Sequence, residues 1–205
     1  MLIHPDLLIP LIVFSIVSFF TPGPNNLMLL TSGLNFGFRR SWPAILGVDL
    51  GYSFLTLCVG LGLGAIFLKY PMIYTIIKYL GAAYMVYLAW VIATSEPPKP
   101  DAYKQKKPVS FLKAAILQWV NPKGWAMAVT AVSSYSTIAD YPDNVFLIFG
   151  IFVLTGVGSS TMWAGLGTAV QKFLHKPKIV RIFNVTMAIL LLASLYPVLM
   201  PAAHN

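Results

Sequence analysis

The sequence predicts an all-α integral membrane protein in which six transmembrane helices form two inverted three-helix repeats, with helices 1 and 4 broken. Composition is the first observation, because 58% of the 205 residues are hydrophobic and 10% are charged, with a mean hydropathy of +0.76. The second is that the apolar residues fall into six segments of about the length that crosses a bilayer. The third is that two of these segments contain proline, glycine and amide residues. At about 20 residues per span the helices and loops use the whole chain, so we treat residues 1–205 as one transmembrane domain.

The six apolar segments occupy approximately residues 7–34, 42–68, 72–93, 109–135, 145–170 and 179–199. A linker rich in proline and lysine, residues 96–108, separates the first half (1–95) from the second half (109–205). Because each half contains three spans, the halves enter the membrane from opposite sides, as inverted repeats do. The first segment would be about 40 Å long as one helix, against a hydrocarbon core of ~30 Å, so we expect it to tilt or bend.

Basic residues predict the orientation of the chain. Arg39 and Arg40 lie between the first and second segments. Further basic residues lie in the linker and around the connection between the fifth and sixth segments: Lys99, Lys104, Lys106, Lys107, Lys172, Lys176, Lys178 and Arg181. Because positively charged loops stay in the cytoplasm, both termini are predicted to be periplasmic and the linker cytoplasmic. This distribution explains the net charge of +8 without a nucleic-acid partner.

The first broken segment contains the run Thr21-Pro22-Gly23-Pro24-Asn25-Asn26. A helix must break or restart here, since proline removes a backbone donor and clashes with the preceding turn. In hydrocarbon, an interrupted helix is expected only where it is buried in protein or lines a cavity. Pro24 suits the opening turn of a new half-helix, and Asn25 and Asn26 then direct their side-chain donors toward the centre.

The second broken segment contains Asn121-Pro122-Lys123-Gly124. Asn121 is a suitable N-cap, with Pro122 at the first helical position and Lys123 in the first turn. The half-helix N-terminus has a partial positive charge and Lys123 adds a full one, so an anionic group such as a carboxylate fits here. We therefore predict a substrate site at Asn25, Asn26, Asn121 and Lys123.

The remaining residues of the two breaks are predicted to act as hinges: Thr21, Pro22, Gly23, Pro24, Pro122 and Gly124. Interrupted helices in corresponding positions of an inverted repeat are the sequence feature that best indicates a transporter's binding site. The alternative interpretation is a pair of structural kinks that are closed by contacts between helices.

Asp49 is an acidic residue within the second segment, flanked by Gly47 and Gly51. An acidic residue inside a span costs at least ~2.5 kcal/mol and indicates a function by default. Asp49 could accept a substrate ammonium, exchange a proton or pair with Lys123; alternatively, it is part of a structural ion pair or reaches the inner water layer. Gly47 and Gly51 are spaced so that a neighbouring helix can approach closely, and we assign them to packing.

The sequence does not favour catalysis. The three histidines, His4, His175 and His204, are terminal or in a loop, so no histidine-centred catalytic or metal site is predicted inside the membrane. No G-x-x-x-x-G-K-[ST] phosphate-binding loop occurs, and we predict no cofactor. The energy for transport would then come from a gradient or from a partner protein.

The first break, Gly37-Phe38-Arg39, the run from Gly81 to Trp90 and Asn121-Pro122-Lys123 together resemble the lysine exporter or RhtB-type family of bacterial amino-acid efflux proteins. Length and helix number agree, so the resemblance covers essentially the whole chain. The stretches at residues 81–94, 108–111 and 118–121 look most like the cysteine and O-acetylserine exporter branch.

The resemblance implies an exporter in the bacterial inner membrane that is driven by the proton gradient, and it is compatible with a homodimer. Carried over by position, it supports part of the predicted site: Pro22, Gly23, Pro24, Asn25, Asn26, Asn121 and Pro122. Related exporters place their acidic residue variably in the second helix, and Tyr52 occupies one of its usual positions. The resemblance therefore leaves the role of Asp49 open.

We therefore predict a secondary active exporter of a small zwitterionic amino acid, rather than an enzyme, that works by alternating access. Its partners would be the amino acid, protons and the lipid bilayer. One alternative is an exporter of a metal or other inorganic ion, which is disfavoured because Asp49 is the one acidic residue well inside a span. Another is a membrane-embedded enzyme acting on a lipid-linked substrate, for which the sequence has no visible acid, base or nucleophile pair.

Overall fold

A computed structural model describes residues 4–63, 69–94, 108–170 and 177–193, and this part of the chain is helical without a β-strand. Eight α-helices are present there: α1 (Pro5–Phe20), α2 (Pro24–Phe36), α3 (Phe38–Cys58), α4 (Pro71–Ala93), α5 (Phe111–Val120), α6 (Pro122–Ser134), α7 (Asp143–Val170) and α8 (Pro177–Ala193). A π-helical turn, Val59–Leu63, extends α3. The helices occupy the six predicted segments, of which the first and fourth are each divided in two.

Several sequence predictions fall outside the described residues. They include the termini, His175 and His204, almost all of the predicted cytoplasmic linker, and the basic residues Lys99, Lys104, Lys106, Lys107, Lys172 and Lys176. The orientation of the chain therefore stays a prediction.

The first predicted break is confirmed. Helix α1 ends at Phe20, the extended residues Thr21 and Gly23 follow, and α2 begins at Pro24, which lies in its opening turn. The axes of α1 and α2 are bent by 54° relative to each other. The first segment is therefore a broken one, as its prolines and its length predict.

The second predicted break is also confirmed, and it is limited to one residue. Asn121 separates α5 from α6 in an extended conformation (φ −84°, ψ 109°), and its side chain accepts a hydrogen bond from the backbone N–H of Lys123 at 3.2 Å. Asn121 is thus the predicted N-cap. Pro122 and Gly124 lie in the first turn of α6.

The helices have the length and surface of membrane-spanning elements. Two of them, Phe38–Leu63 and Asp143–Val170, are long and apolar enough to cross a bilayer, and the bent pair α1 and α2 adds a third if it forms one span. Large apolar side chains face outward, for example Ile9 (71% exposed) and Leu154 (76% exposed). Such a surface is stable in lipid and not in water, so this is a membrane protein.

Helix α7 lies at the centre of the packing, against α1, α2 and α3, while α3 also packs against α5 and α4 packs against α8. Glycines bring these helices together. A Cβ added at Gly33 would collide with the backbone carbonyl of Ala164, and one added at Gly167 would collide with that of Leu30. The α2–α7 contact is therefore a contact between backbones.

The contact between α3 and α5 is built in the same way. A Cβ at Gly47 would collide with the carbonyl oxygen of Phe111, and one at Gly51 would lie 2.6 Å from Cα of Ala115. The packing role predicted for Gly47 and Gly51 is confirmed.

The buried apolar residues form two clusters. The first cluster is Leu27, Leu29, Leu30, Ala44, Ile45, Val48, Ala82, Met85, Ala89, Ala114, Trp163, Ala164, Met187, Ala188 and Leu191. The second cluster is Leu11, Tyr52, Leu55, Val59, Trp125, Ala128, Ala131, Ile138, Ala139, Ile148 and Phe152.

Four of the predicted segments run from one cluster to the other through polar residues. These connecting positions are residues 21–26 in the first segment, Asp49 in α3, residues 118–121 in the fourth segment and residues 156–160 in α7. The two breaks and Asp49 therefore lie at one level of the molecule, between two apolar layers.

Candidate functional site

The residues of the two breaks line one cavity. Its wall consists of Ser18, Phe19, Gly23, Pro24, Asn25, Asn26, Tyr52, Asn121, Lys123, Gly124 and Met127. The volume of about 30 Å³ leaves room for ordered water. All four of the substrate-binding residues predicted in the breaks are in this wall, and Asp49 is not.

Lys123 connects the second break to the first. Its ammonium Nζ donates to the carbonyl oxygen of Thr21 at 2.6 Å and lies 3.4 Å from that of Pro22. These oxygens follow the C-terminal end of α1, where carbonyls lack an intrahelical partner and the helix dipole is negative. The lysine chain passes closely over Gly23, where an added Cβ would lie 3.1 Å from Lys123 Cδ. The positive charge of Lys123 is therefore stabilised by backbone carbonyls.

Asn26 also bonds to the end of α1. Its side-chain Nδ2 donates to the carbonyl oxygens of Phe19 at 2.9 Å and Thr21 at 2.8 Å. Ser159 of α7 donates to the same Phe19 oxygen at 2.8 Å. In this conformation the Asn26 donors are engaged with the backbone, so Asn26 sets the position of α1 relative to α2.

Asn25 forms a reciprocal amide pair with Gln118 of α5. Asn25 Nδ2 donates to Gln118 Oε1 at 2.7 Å, and Gln118 Nε2 donates to Asn25 Oδ1 at 3.1 Å and to the Ala114 carbonyl at 2.9 Å. Gln118 is fully buried. Gln118 is not among the residues predicted for the site, and a polar amide one turn before Asn121 in an apolar segment is the sequence signal that could have indicated it.

Asp49 is buried beside the cavity rather than in its wall. Its carboxylate oxygens have no hydrogen-bond partner, so the pairing with Lys123 that the sequence allows is not formed in this structure. The carboxylate packs against α7, where a Cβ added at Gly156 would collide with it. The hydroxyls of Tyr52 and Ser53, close by on α3, are buried without a partner as well.

Three aromatic rings pack together where the cavity meets the second cluster, to which Tyr52 and Phe152 belong. Phe19 lies edge-on to Tyr52 (5.1 Å between centroids) and to Phe152 (5.4 Å), and Tyr52 stacks on Phe152 at 5.8 Å. Phe19 lines the cavity and also faces Gly156, which Asp49 contacts.

The donors and acceptors around the cavity fit a small polar solute. They are amides, backbone carbonyls, the hydroxyls of Ser18 and Tyr52, and one ammonium group. Within the described ranges, no three His, Cys, Asp or Glu side chains come close enough to hold a metal ion.

Comparison with known proteins agrees with this chemistry. The chain matches the family model "LysE type translocator" over residues 16–194. It is 33% identical over 192 residues to a cysteine/O-acetylserine efflux protein of Escherichia coli O139:H28 (strain E24377A / ETEC), which covers 92% of this chain and 95% of that protein.

It is 34% identical over 191 residues to the proteins of the same description from Escherichia coli strain K12 and from Shigella sonnei strain Ss046, covering 91% of this chain and 94% of each relative. No solved structure matches the chain. Since the family model covers most of the chain and the relatives match over nearly their whole length, this protein belongs to the LysE type translocator family.

Proposed function

We propose that this protein is a secondary active exporter of a small amino acid or amino-acid derivative, with a substrate related to cysteine or O-acetylserine, in the bacterial inner membrane. The observation that carries the proposal is the cavity in which the two broken helices meet, with Asn25 and Asn26 on one side and Asn121 and Lys123 on the other. The efflux function of the similar proteins supports the same class of substrate. The six predicted segments would form two inverted three-helix repeats around this cavity, with both termini periplasmic.

The substrate carboxylate would bind to Lys123 and the N-terminal turn of α6. A carboxylate is a stronger partner for an ammonium than a neutral carbonyl is, so it can draw Lys123 away from Thr21 and Pro22. The N-terminus of α6 adds partial positive charge. Asn25 and Asn121 would bond the other polar atoms of the substrate.

Alternating access would use the two breaks as hinges. Thr21, Pro22 and Gly23 lie between α1 and α2, so their backbone angles can change while the interiors of both helices keep their hydrogen bonds. The glycine contacts between α2 and α7 and between α3 and α5 hold backbones together, which favours motion of helix pairs over motion of single helices. The hydrogen bonds of Lys123 to Thr21 and of Gln118 to Asn25 link the two breaks. They would break during the motion and be replaced by others.

Asp49 is the residue we propose for proton coupling. A buried carboxylate without a hydrogen-bond partner is costly when ionised, and uptake of a proton removes that charge. Its place beside the cavity, next to Tyr52, allows it to respond to the state of the site without binding the substrate. A homodimer is compatible with the exposed apolar helix faces.

The two alternative functions fit the cavity less well. A hard metal ion requires several oxygen ligands that include carboxylates, and none of the wall residues is acidic. An enzyme requires an activated nucleophile or an acid–base pair, and the wall has no His, Asp or Glu to act as a base for the hydroxyls of Ser18 and Tyr52.

Purified protein in proteoliposomes tests the proposal. Vesicles are loaded with a panel of labelled amino acids and ions, and flux is measured with and without an imposed pH gradient. We expect flux of a small neutral amino acid that the gradient stimulates. Flux of a metal ion alone would refute the proposal, as would absence of all amino-acid flux from vesicles containing folded protein.

Variants then test the site. Asn25→Ala and Lys123→Ala should each reduce efflux about tenfold or more, since each removes bonds made at the cavity. Lys113→Ala is the matched control, because Lys113 is an exposed lysine on α5. Unchanged efflux in both cavity variants would contradict the assignment of the site.

A further inference from the structure

The carbonyl oxygens at the end of α1 already bind a primary ammonium group, that of Lys123. The Nζ to Thr21 distance of 2.6 Å is that of a short, charge-assisted hydrogen bond. Pro22 contributes a second oxygen at 3.4 Å. Every standard amino acid except proline has a primary α-ammonium group, so these oxygens have the chemistry to bind one from the substrate.

From this geometry we propose that the Thr21 and Pro22 carbonyls form a binding site for the α-ammonium of the exported amino acid, which Lys123 occupies in this conformation. When the substrate enters, its carboxylate takes up Lys123 and its ammonium replaces Lys123 at the carbonyls. The inference rests on the proposed function and defines the second half of the substrate site. It leaves Asp49 free for proton exchange.

The burial of the site favours such an exchange. Carbonyls that lose a donor in an apolar environment are unfavourable, so the departure of Lys123 from Thr21 and Pro22 is costly unless another donor arrives. Asn26 donates to the carbonyl oxygens of Thr21 and Phe19. These two oxygens therefore keep a hydrogen bond to the protein whether Lys123 or the substrate ammonium is bound. A substrate ammonium restores the bonds that Lys123 gives up.

The charge balance favours a zwitterion over a simple anion. Among the residues that the structure describes, Lys123 has no carboxylate partner, since the oxygens of Asp49 accept no hydrogen bond and lie outside the wall of the cavity. A zwitterion adds no net charge to the site, and each of its two charged groups meets a partner. An anion would take Lys123 and leave the Thr21 oxygen with Asn26 as its donor and the Pro22 oxygen without the Lys123 bond.

Chemical rescue of Lys123→Ala in detergent tests the site without a transport assay. Propylammonium should raise the thermal unfolding midpoint of Lys123→Ala by several degrees at saturating concentration, because it binds the folded state alone. Wild type and Lys113→Ala should not respond, since the tethered lysine fills the site in both. Tetramethylammonium has no N–H donor and should have no effect on any of them.

Two half-substrates identify which group binds there. L-serine methyl ester, which has the ammonium but no carboxylate, should stabilise Lys123→Ala, and N-acetyl-L-serine, which has the carboxylate but no ammonium, should not. Lack of any response of Lys123→Ala to propylammonium, or an equal response to tetramethylammonium, would overturn the proposal. Either result can be obtained whether or not the protein transports amino acids, so it is separate from failure of the proposed function.

A measurement on the wild type applies if Lys123→Ala does not fold. Displacement of Lys123 requires both charged groups of the substrate. Neither half-substrate should therefore inhibit efflux of the zwitterion, even when it is present at ten times the KM of the zwitterion. Competition by N-acetyl-L-serine as strong as that by L-serine would show that the ammonium contributes nothing, and would refute the site.

Discussion

Asn25 and Gln118, 93 residues apart in the chain, exchange two side-chain hydrogen bonds of 2.7 and 3.1 Å between the first broken segment and the second. The pair joins α2 to α5 at the level where both segments are interrupted. Each amide satisfies a donor and an acceptor of the other, which two hydrophobic residues or a single amide cannot do.

The amide pair predicts that the losses in the free energy of unfolding caused by its two single variants are not additive. Asn25→Ala or Gln118→Leu alone leaves one buried amide without its partner and should lower the free energy of unfolding by about 1–3 kcal/mol. The double variant should lose clearly less than the sum of the two. Thermal or denaturant unfolding in detergent measures this, with exposed Ser136→Ala as the control. Strict additivity would show that the two amides are not coupled.

The backbone contact of α2 with α7 predicts opposite outcomes for two glycines of the same helix. Gly167→Ala places a Cβ against the Leu30 carbonyl and should destabilise the protein by about 1–3 kcal/mol. Gly165→Ala has open space around it and should be neutral or stabilising by up to about 1 kcal/mol. Unfolding midpoints of the two variants, measured side by side, check the prediction. Equal midpoints would contradict the packing.

The proposed role of Asp49 predicts that a substitution can abolish proton coupling without abolishing substrate binding. Asp49→Asn keeps the shape of the side chain but cannot exchange a proton, so efflux should no longer respond to an imposed pH gradient, while exchange of labelled for unlabelled substrate should persist. The unfolding midpoint should not fall, because no hydrogen bond is lost. Asp140→Asn, at an exposed position, is the control. Retention of the gradient response in Asp49→Asn would exclude the coupling role.

The predicted orientation can be tested by labelling. In a Cys58→Ser background, a cysteine at exposed Arg40 should be protected from a membrane-impermeant maleimide in intact cells, because that loop is predicted to be cytoplasmic. A cysteine at exposed Asp140 should be labelled, since the loop between the fourth and fifth segments is predicted to be periplasmic. Both should react after the cells are permeabilised. The reverse pattern would invert the proposed topology.

The sequence predicted the helical segments and both breaks closely. Proline lacks an N–H and restricts the backbone, and asparagine caps a helix by its own side chain, so Pro24 and Asn121 act through local chemistry that needs no tertiary context. Periodic glycines such as Gly47 and Gly51 likewise indicated close packing before the neighbouring helix was known.

The site could be predicted only in part. Asn25, Asn26, Asn121 and Lys123 were recognisable because polar residues at membrane depth are costly unless they are used. The distant partners of Asn25 and Lys123 were not, because a hydrogen bond between residues about a hundred positions apart depends on how the helices pack. Gln118, the partner of Asn25, was therefore not assigned to the site.

By itself, the sequence determined that this chain is a membrane protein of helical segments, broken at two places by residues that cannot continue a helix. The tertiary structure decided that the two breaks line one cavity, that the Lys123 ammonium binds the carbonyls of Thr21 and Pro22, and that Asp49 lies outside the wall. The reason is physical: helix breaks are set by backbone chemistry within a few residues, whereas the partner of a buried charge is set by which surfaces the glycine contacts bring together.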